Sequence, residues 1–236
     1  PKGYDVNSYF LSHTKEDFEK ILSKAKRFKI KGVSSLKETL LAFYNKFASG
    51  EEEELYELPW DSVNRIIGGG FKRRRLYVVG GRPGVGKTSF TMEICYHFAK
   101  NLQIPVLYFC MEMPDVDLAT KIVQLHFDLT LNEVEPANAL VYATELENVP
   151  IYFGYSSKVT PEIFYNTMRE VRNRYGVQFG VFDNLQRMIR SGEESDMSKA
   201  SGVFKDLTMD LDMPFLLVSQ PRKLNSERFP TQDDLK

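Results

Sequence analysis

Between Val78 and Phe90 the chain reads VVGGRPGVGKTSF. Gly81 to Thr88 fit G-x-x-x-x-G-K-[ST], a spacing suited to holding phosphate. Gly84 and Gly86 allow backbone N–H groups to turn inward around phosphate oxygens. A helix opening near Lys87 aims the positive end of its dipole at the same anion. Lys87 is then placed to reach the β- and γ-phosphates of ATP, Thr88 to offer its hydroxyl to Mg²⁺, and Ser89 to add a further contact. Gly81, Arg82, Pro83 and Val85 complete the loop. Average composition makes a chance match in a chain of this length an event on the order of one per cent. The apolar strand before the loop, and the helical spacing of Phe90, Ile94 and Phe98 after it, lower that figure further. The motif predicts nucleotide binding and is silent on what the nucleotide drives.

Three later positions narrow the chemistry. Glu112 follows the apolar run VLYFC, where a carboxylate at a strand tip is able to polarise an attacking water as general base; on its own it is equally explained as an acid starting the next helix. Asp183 closes QFGVFD, the arrangement in which a carboxylate serves Mg²⁺ through its water shell. Gln220 follows FLLVS, where a neutral amide is able to sense the γ-phosphate; alone, it reads as an ordinary polar residue before Pro221. The order Glu, Asp, Gln after one phosphate loop carries more than any of the three. A small-molecule kinase needs an acceptor lid and a switch GTPase an [NT]KxD element downstream of the phosphate loop, and the chain after Thr88 has neither.

These residues need strands that end on one edge. Short apolar runs at 76–79, 106–110, 151–153, 179–183 and 215–219 alternate with helical patterns near 87–100, 115–127, 161–174 and 198–211. Such alternation predicts an α/β fold with a mainly parallel sheet, helices on both faces, and ligands at the carboxyl ends of the strands. The chain before Leu58 reads differently. TKEDFEKILSKAKRF puts Phe18, Ile21, Leu22 and Ala25 on one helical face, with Thr14 and Asp17 in capping-box positions. A second helix carries Leu36, Leu40, Phe43 and Phe47 as one stripe. SGEEEE then reads as a solvated tether. The expected division is a helical segment, 1–57, and an ATPase core, 58–236.

Composition sets bounds. There are 31 Lys and Arg against 32 Asp and Glu, a net charge of -1, which excludes a globally basic nucleic-acid coat but not local basic loops. Cys95 and Cys110 sit in apolar stretches and read as buried reduced thiols. His13, His97 and His126 lack metal-ligand spacing. No apolar run is long enough to span a bilayer, and a cytoplasmic or nucleoid-associated protein without a membrane partner is expected. The chain begins at Pro1 and stops at TQDDLK, as if cut from a longer polypeptide at both ends.

GGRPGVGKTSF, YFCMEMP, FGVFDNLQRM and PFLLVSQPRK…PTQDDLK together resemble, in order, the core motifs of the RecA-like replicative helicases of the DnaB and Twinkle type. LPWDSVNRIIGGGFKRRRLYVVGG resembles that family's approach to its first core strand, and SQPRK looks especially like the Twinkle branch, which includes phage primase-helicases. The resemblance covers about residues 58–236. It implies a RecA-like P-loop ATPase of a ring, hexameric in the full-length machine, that moves on single-stranded DNA and unwinds duplex. It implies that Glu112 activates water, that Asp183 serves Mg²⁺ and that Gln220 reports the γ-phosphate. Residues 3–28 resemble the tail of a TOPRIM primase-like domain; in such helicases the linker helix that follows docks on the adjacent subunit, and the stripe Leu36, Leu40, Phe43 and Phe47 suits that docking and packing on its own core equally. The family's trans-acting arginine finger lies beyond the segment matching DLK. Such a cation contributes a factor of roughly 10³–10⁵ in related NTPases, so the 236 residues alone are expected to bind ATP and hydrolyse it poorly. The run Lys72 to Arg75 departs from the family and reads as a surface patch.

By the same resemblance, loops after the Asp- and Gln-bearing strands line a DNA channel. Arg187, Arg190, Arg222 and Lys223 are the candidate backbone contacts, which would be sequence-independent and salt-sensitive. Rival readings are a RecA/RadA-type recombinase, a KaiC-like regulatory ATPase acting without DNA, and a decayed ring subunit kept as scaffold. The phosphate loop generates the first prediction: Lys87→Ala loses nucleotide affinity, measured by equilibrium binding of a fluorescent ATP analogue, and unchanged affinity would remove the loop from the site.

Overall fold

The structure, a computed structural model, describes residues 6–24, 33–50, 53–156, 158–188 and 194–220. Two compact units meet in sequence at Glu52 and Glu53. The first holds α1 (Val6–Phe10), α2 (Lys15–Lys24) and α3 (Leu36–Ala48). The expected capping box opens α2: the Thr14 backbone N–H and hydroxyl donate to Asp17 Oδ2 at 3.2 and 2.7 Å, and the Asp17 N–H donates back to Thr14 Oγ1 at 3.3 Å. Ser35 and Glu38 repeat the device at the start of α3. Leu36, Leu40 and Phe43 are exposed on α3; the Phe47 side chain lies outside the described residues.

The second unit contains β1 (Leu55–Tyr56), α4 (Asp61–Ile67), β2 (Phe71–Lys72), β3 (Leu76–Gly80), α5 (Lys87–Lys100), β4 (Val106–Cys110), α6 (Asp115–Phe127), α7 (Ala139–Glu145), β5 (Ile151–Tyr155), α8 (Pro161–Tyr175), β6 (Phe179–Asp183), α9 (Leu185–Met188), α10 (Glu194–Asp210) and β7 (Phe215–Ser219). Five strands form one sheet in the order β3-β7-β6-β4-β5, and every pair is parallel. Each expected strand and each expected core helix is present. Side chains alternate across the sheet as a strand's two-residue period demands. Tyr108 and Cys110 face the layer of Ile94, Phe98, Leu118 and Ile122. Leu107 and Phe109 face Phe164, Met168, Phe204 and Leu207. Both faces of the sheet are therefore covered, α5 and α6 on one side and α8 and α10 on the other.

Two features were not legible in advance. β1 and β2 pair antiparallel, Tyr56 opposite Phe71, around α4. The return depends on Gly70 at φ 150°, where a Cβ would lie 2.7 Å from the Tyr56 carbonyl oxygen. The acidic run is also not simply a tether. Glu53 pairs with Lys72 at 2.9 Å, Glu54 with Arg73 at 2.7 Å, and Asp212 with Arg73 and Arg74 at 3.4 and 3.3 Å. Opposite charges thus pull the end of the acidic run onto the second unit and neutralise much of the basic patch. Being partly solvated, each pair is worth at most about 1 kcal/mol.

Close ring packing replaces side chains at two points of the sheet. A Cβ on Gly180 would lie 2.2 Å from a ring carbon of Phe215, and one on Gly154 2.4 Å from a ring carbon of Phe109. Gly180→Ala is expected to destabilise the protein by about 1–3 kcal/mol, the usual consequence of overpacking a filled core. Urea unfolding measures it, and a change under about 0.5 kcal/mol would mean that the Phe215 ring shifts freely.

Candidate functional site

A parallel sheet delivers all its carboxyl ends to one edge. Along that edge the strand order sets, side by side, the phosphate loop after β3, Gln220 after β7, Asp183 at the end of β6, and Glu112 after β4. The register is tight. Gly80 lies opposite Ser219, the Gly81 N–H donates to Ser219 O at 3.3 Å, Cys110 lies opposite Asp183, and the Met111 N–H donates to Asp183 O at 2.8 Å.

The loop has the backbone its glycines foretell, with Gly84 at φ 78° and Gly86 at φ 89°, both left-handed. Arg82, Pro83, Val85 and Ser89 stand exposed on its rim, while Gly81 and Lys87 are buried. The Lys87 ammonium donates to the carbonyls of Gly81 and Arg82, both at 2.8 Å. An ammonium has three protons, so one donor remains for a ligand oxygen. Burial pushes the lysine below its ordinary value, and the negative charges of Asp183 and Glu112 oppose that shift. Lys87 thus senses both acids across the edge.

Asp183 is 3% exposed, and one of its oxygens takes two hydroxyl donors. Its Oδ2 accepts from the Thr88 hydroxyl at 2.8 Å and from the Tyr108 hydroxyl at 2.9 Å. Tyr108 in turn lies 2.9 Å from the Thr91 hydroxyl, which reaches the carbonyls of Lys87 and Thr88 at 3.1 Å. Helix α5 is therefore bolted to β4 and β6 directly behind the phosphate loop. Burial raises the Asp183 carboxyl above the ordinary range; the two hydroxyl donors and Lys87 resist, and the charge of Glu112 adds to the rise.

Glu112 leaves β4 on a tight turn whose backbone N–H groups, from Glu112 and Met113, point at the Cys110 sulfur at 3.4 and 3.3 Å. Its Oε1 accepts from Arg187 Nε at 3.0 Å. Arg187 was expected to face nucleic acid, and here it is joined to the candidate base. Gln186, one residue earlier, takes hold of the other flank: its Nε2 donates to Ser219 Oγ at 2.7 Å and its Oε1 accepts the Gln220 N–H at 2.9 Å. Arg190, Arg222 and Lys223 lie outside the described residues.

Sequence reasoning missed Tyr108, Thr91 and Gln186. A hydroxyl inside a five-residue buried strand was the available signal for Tyr108, because such a hydroxyl must find a partner. Thr91 had its place one turn after Lys87. Nothing in NLQR singled out the glutamine, whose partners lie more than thirty residues downstream.

A family model described as the DnaB-like helicase C-terminal domain matches residues 60–236. The chain is 26% identical over 240 residues to a replicative DNA helicase DnaB of Synechocystis sp., covering 92% of this chain and 27% of that protein. It spans less than half the length of curated relatives of this kind. A solved structure of an ATPase domain superposes with a TM-score of 0.71 at 18% identity, over 86% of this chain and 78% of the other. A DnaB-like replicative helicase, solved in connection with its interactions with primase, gives 0.72 at 17% identity over 94% and 56%. At these identities the two structures establish the fold alone, a RecA-like one.

The electrostatics of Asp183 generate a prediction. A raised folded-state value means that the folded chain holds this proton more tightly than the unfolded chain does. Ionisation therefore costs folding free energy, and the cost sets in as pH rises past the ordinary carboxylate value and through the raised one. Asp183→Asn removes it, so the melting temperature at neutral pH is expected to equal or exceed that of the parent, while Mg²⁺-dependent nucleotide affinity falls. Calorimetry and nucleotide titration with and without Mg²⁺ check both halves; a large drop in melting temperature would contradict the sign.

Proposed function

The chain belongs to the DnaB-like helicase C-terminal domain family, and from that premise we propose that it is the ATP-hydrolysing motor core of a ring-shaped replicative DNA helicase that moves along single-stranded DNA. One observation carries the reading: four parallel strand tips bring an ammonium, an amide and two carboxylates together at one edge of one sheet.

The side chains fit a magnesium nucleotide. Thr88 and Asp183 supply hydroxyl and carboxylate oxygens 2.8 Å apart, hard donors of the kind Mg²⁺ takes when phosphates and water fill the rest of its shell. When bound, the ion neutralises charge on the β- and γ-phosphate oxygens. Lys87 holds the loop carbonyls with two protons and offers the third to phosphate. The loop N–H groups and the start of α5 add positive potential. Glu112 accepts the proton of the attacking water. Gln220, fixed by its backbone to Gln186, carries an amide at the tip beside the loop. Tyr108 and Thr91 hold Asp183 and the first turn of α5 in register.

Family membership weighs against the recombinase and the DNA-free regulatory ATPase. Assembly with further copies is supported by surfaces that want covering. On α3, Leu36, Leu40, Leu41, Phe43 and Tyr44 are all more than half exposed. The second unit separately carries an apolar pocket of about 560 Å³ lined by Ile122, Val123, Pro136, Ala139, Tyr142 and Leu146. Interaction with a primase, as in the structural relative, is part of the same proposal.

The test is hydrolysis and strand binding by the full-length protein. Glu112→Gln should bind nucleotide normally and hydrolyse it slower by roughly 10²–10⁴-fold, the usual loss of a general base; undiminished hydrolysis would overturn its role. Binding to oligothymidylate should weaken steeply with salt, and its complete absence would favour the DNA-free ATPase.

A further inference from the structure

Helix α9 has four residues, and two of them reach in opposite directions along the site. Gln186 holds Ser219 and the Gln220 N–H on the tip of β7. Arg187 holds Glu112 beyond the tip of β4. Asp183, whose strand α9 follows, lies between them. The Arg187 backbone N–H is itself fixed, donating to Asn184 O and Oδ1, both at 3.2 Å. The helix is thus a crossbar from the backbone of Gln220 at the tip of β7 to the Glu112 carboxylate beyond the tip of β4.

The Arg187 contact is of a particular kind. It runs through Nε to one oxygen, Oε1, at 3.0 Å. The arginine side chain is 61% exposed and that of the glutamate 33%. Pairs this solvated are weak and yield to competing anions. A guanidinium binds phosphate as readily as carboxylate, in a two-pronged geometry that a single Nε contact does not use. A carboxylate oxygen that already accepts from a guanidinium is also not open to the hydrogen bond of a water.

We propose that the Arg187–Glu112 pair is a latch on hydrolysis, opened when a phosphodiester of single-stranded nucleic acid takes the guanidinium. The inference rests on Glu112 being the general base. With the latch closed, Glu112 is held by Arg187. With it open, a water molecule gives a proton to the Glu112 carboxylate and its oxygen bonds to the γ-phosphorus. The bond from that phosphorus to the β–γ bridging oxygen breaks, and the electron pair leaves on ADP. Arg187 is thereby a positioning residue that makes hydrolysis depend on an occupied strand site. Gln186, on the same helix, ties the latch to the tip that carries Gln220.

The test compares the full-length protein with Arg187→Ala and Arg187→Lys variants, measuring ATP hydrolysis with and without oligothymidylate, and oligothymidylate affinity at the same salt. Arg187→Ala is expected to raise hydrolysis without DNA several-fold and to bring the ratio of stimulated to basal rate close to one. Arg187→Lys, which keeps the charge but not the fork, should fall between. Adding Glu112→Gln to Arg187→Ala should abolish the gain. The latch is overturned if Arg187→Ala lowers both rates in parallel, as a purely supporting residue would, or keeps the full stimulation ratio while only weakening DNA binding. Failure of the underlying reading looks different: Glu112→Gln alone would then hydrolyse ATP at the parent rate.

Discussion

A carboxylate at 3% exposure has to be satisfied by fixed donors, and Asp183 is satisfied by two hydroxyls meeting at one oxygen. That arrangement holds the site together. Thr88 comes from the first turn of α5 and Tyr108 from the middle of β4, so the acid fixes both elements relative to β6. Removing water raises the strength of these contacts and also the cost of leaving any of them unmade. The metal candidate, the phosphate loop and the strand carrying Glu112 are thereby located by one buried group. The upward push on its carboxyl is the corresponding cost of keeping a charge away from water.

The second organising element lies in front of that group. α9 is too short to be stable by itself, and its hold comes from Gln186 and Arg187 on the two neighbouring strand tips. The parallel register makes this possible: with β6 flanked by β7 on one side and β4 on the other, a helix leaving β6 lies within reach of both. Glu112 and Gln220, which the sequence separates by more than a hundred residues, are bridged by two adjacent side chains.

The fold was largely legible because it rests on local pattern. Five apolar runs of strand length and four amphipathic stretches of helix length forced a covered parallel sheet, and VVGGRPGVGKTSF placed the loop between β3 and α5. Capping chemistry at Thr14 and Asp17 was readable for the same reason, since its partners are three residues apart. The β1–β2 pairing was not readable, because two-residue strands have no period and depend on Gly70 approaching the Tyr56 carbonyl. SGEEEE and KRRR each read as solvent-facing when taken alone; Glu53 and Glu54 meet Lys72 and Arg73 only because that turn brings the chain back.

By itself, then, the sequence determined which residue types would stand at the site: the loop spacing sets Lys87 and Thr88 at the start of α5, and an adjoining apolar run that breaks off sets Glu112, Asp183 and Gln220 at strand tips. Tertiary structure alone decided what they touch. That Tyr108 faces Asp183 and not the opposite layer, that Gln186 anchors Gln220, and that Arg187 closes on Glu112 all follow from the spatial order of strands. Periodicity is a property of neighbours along the chain and carries no information about that order.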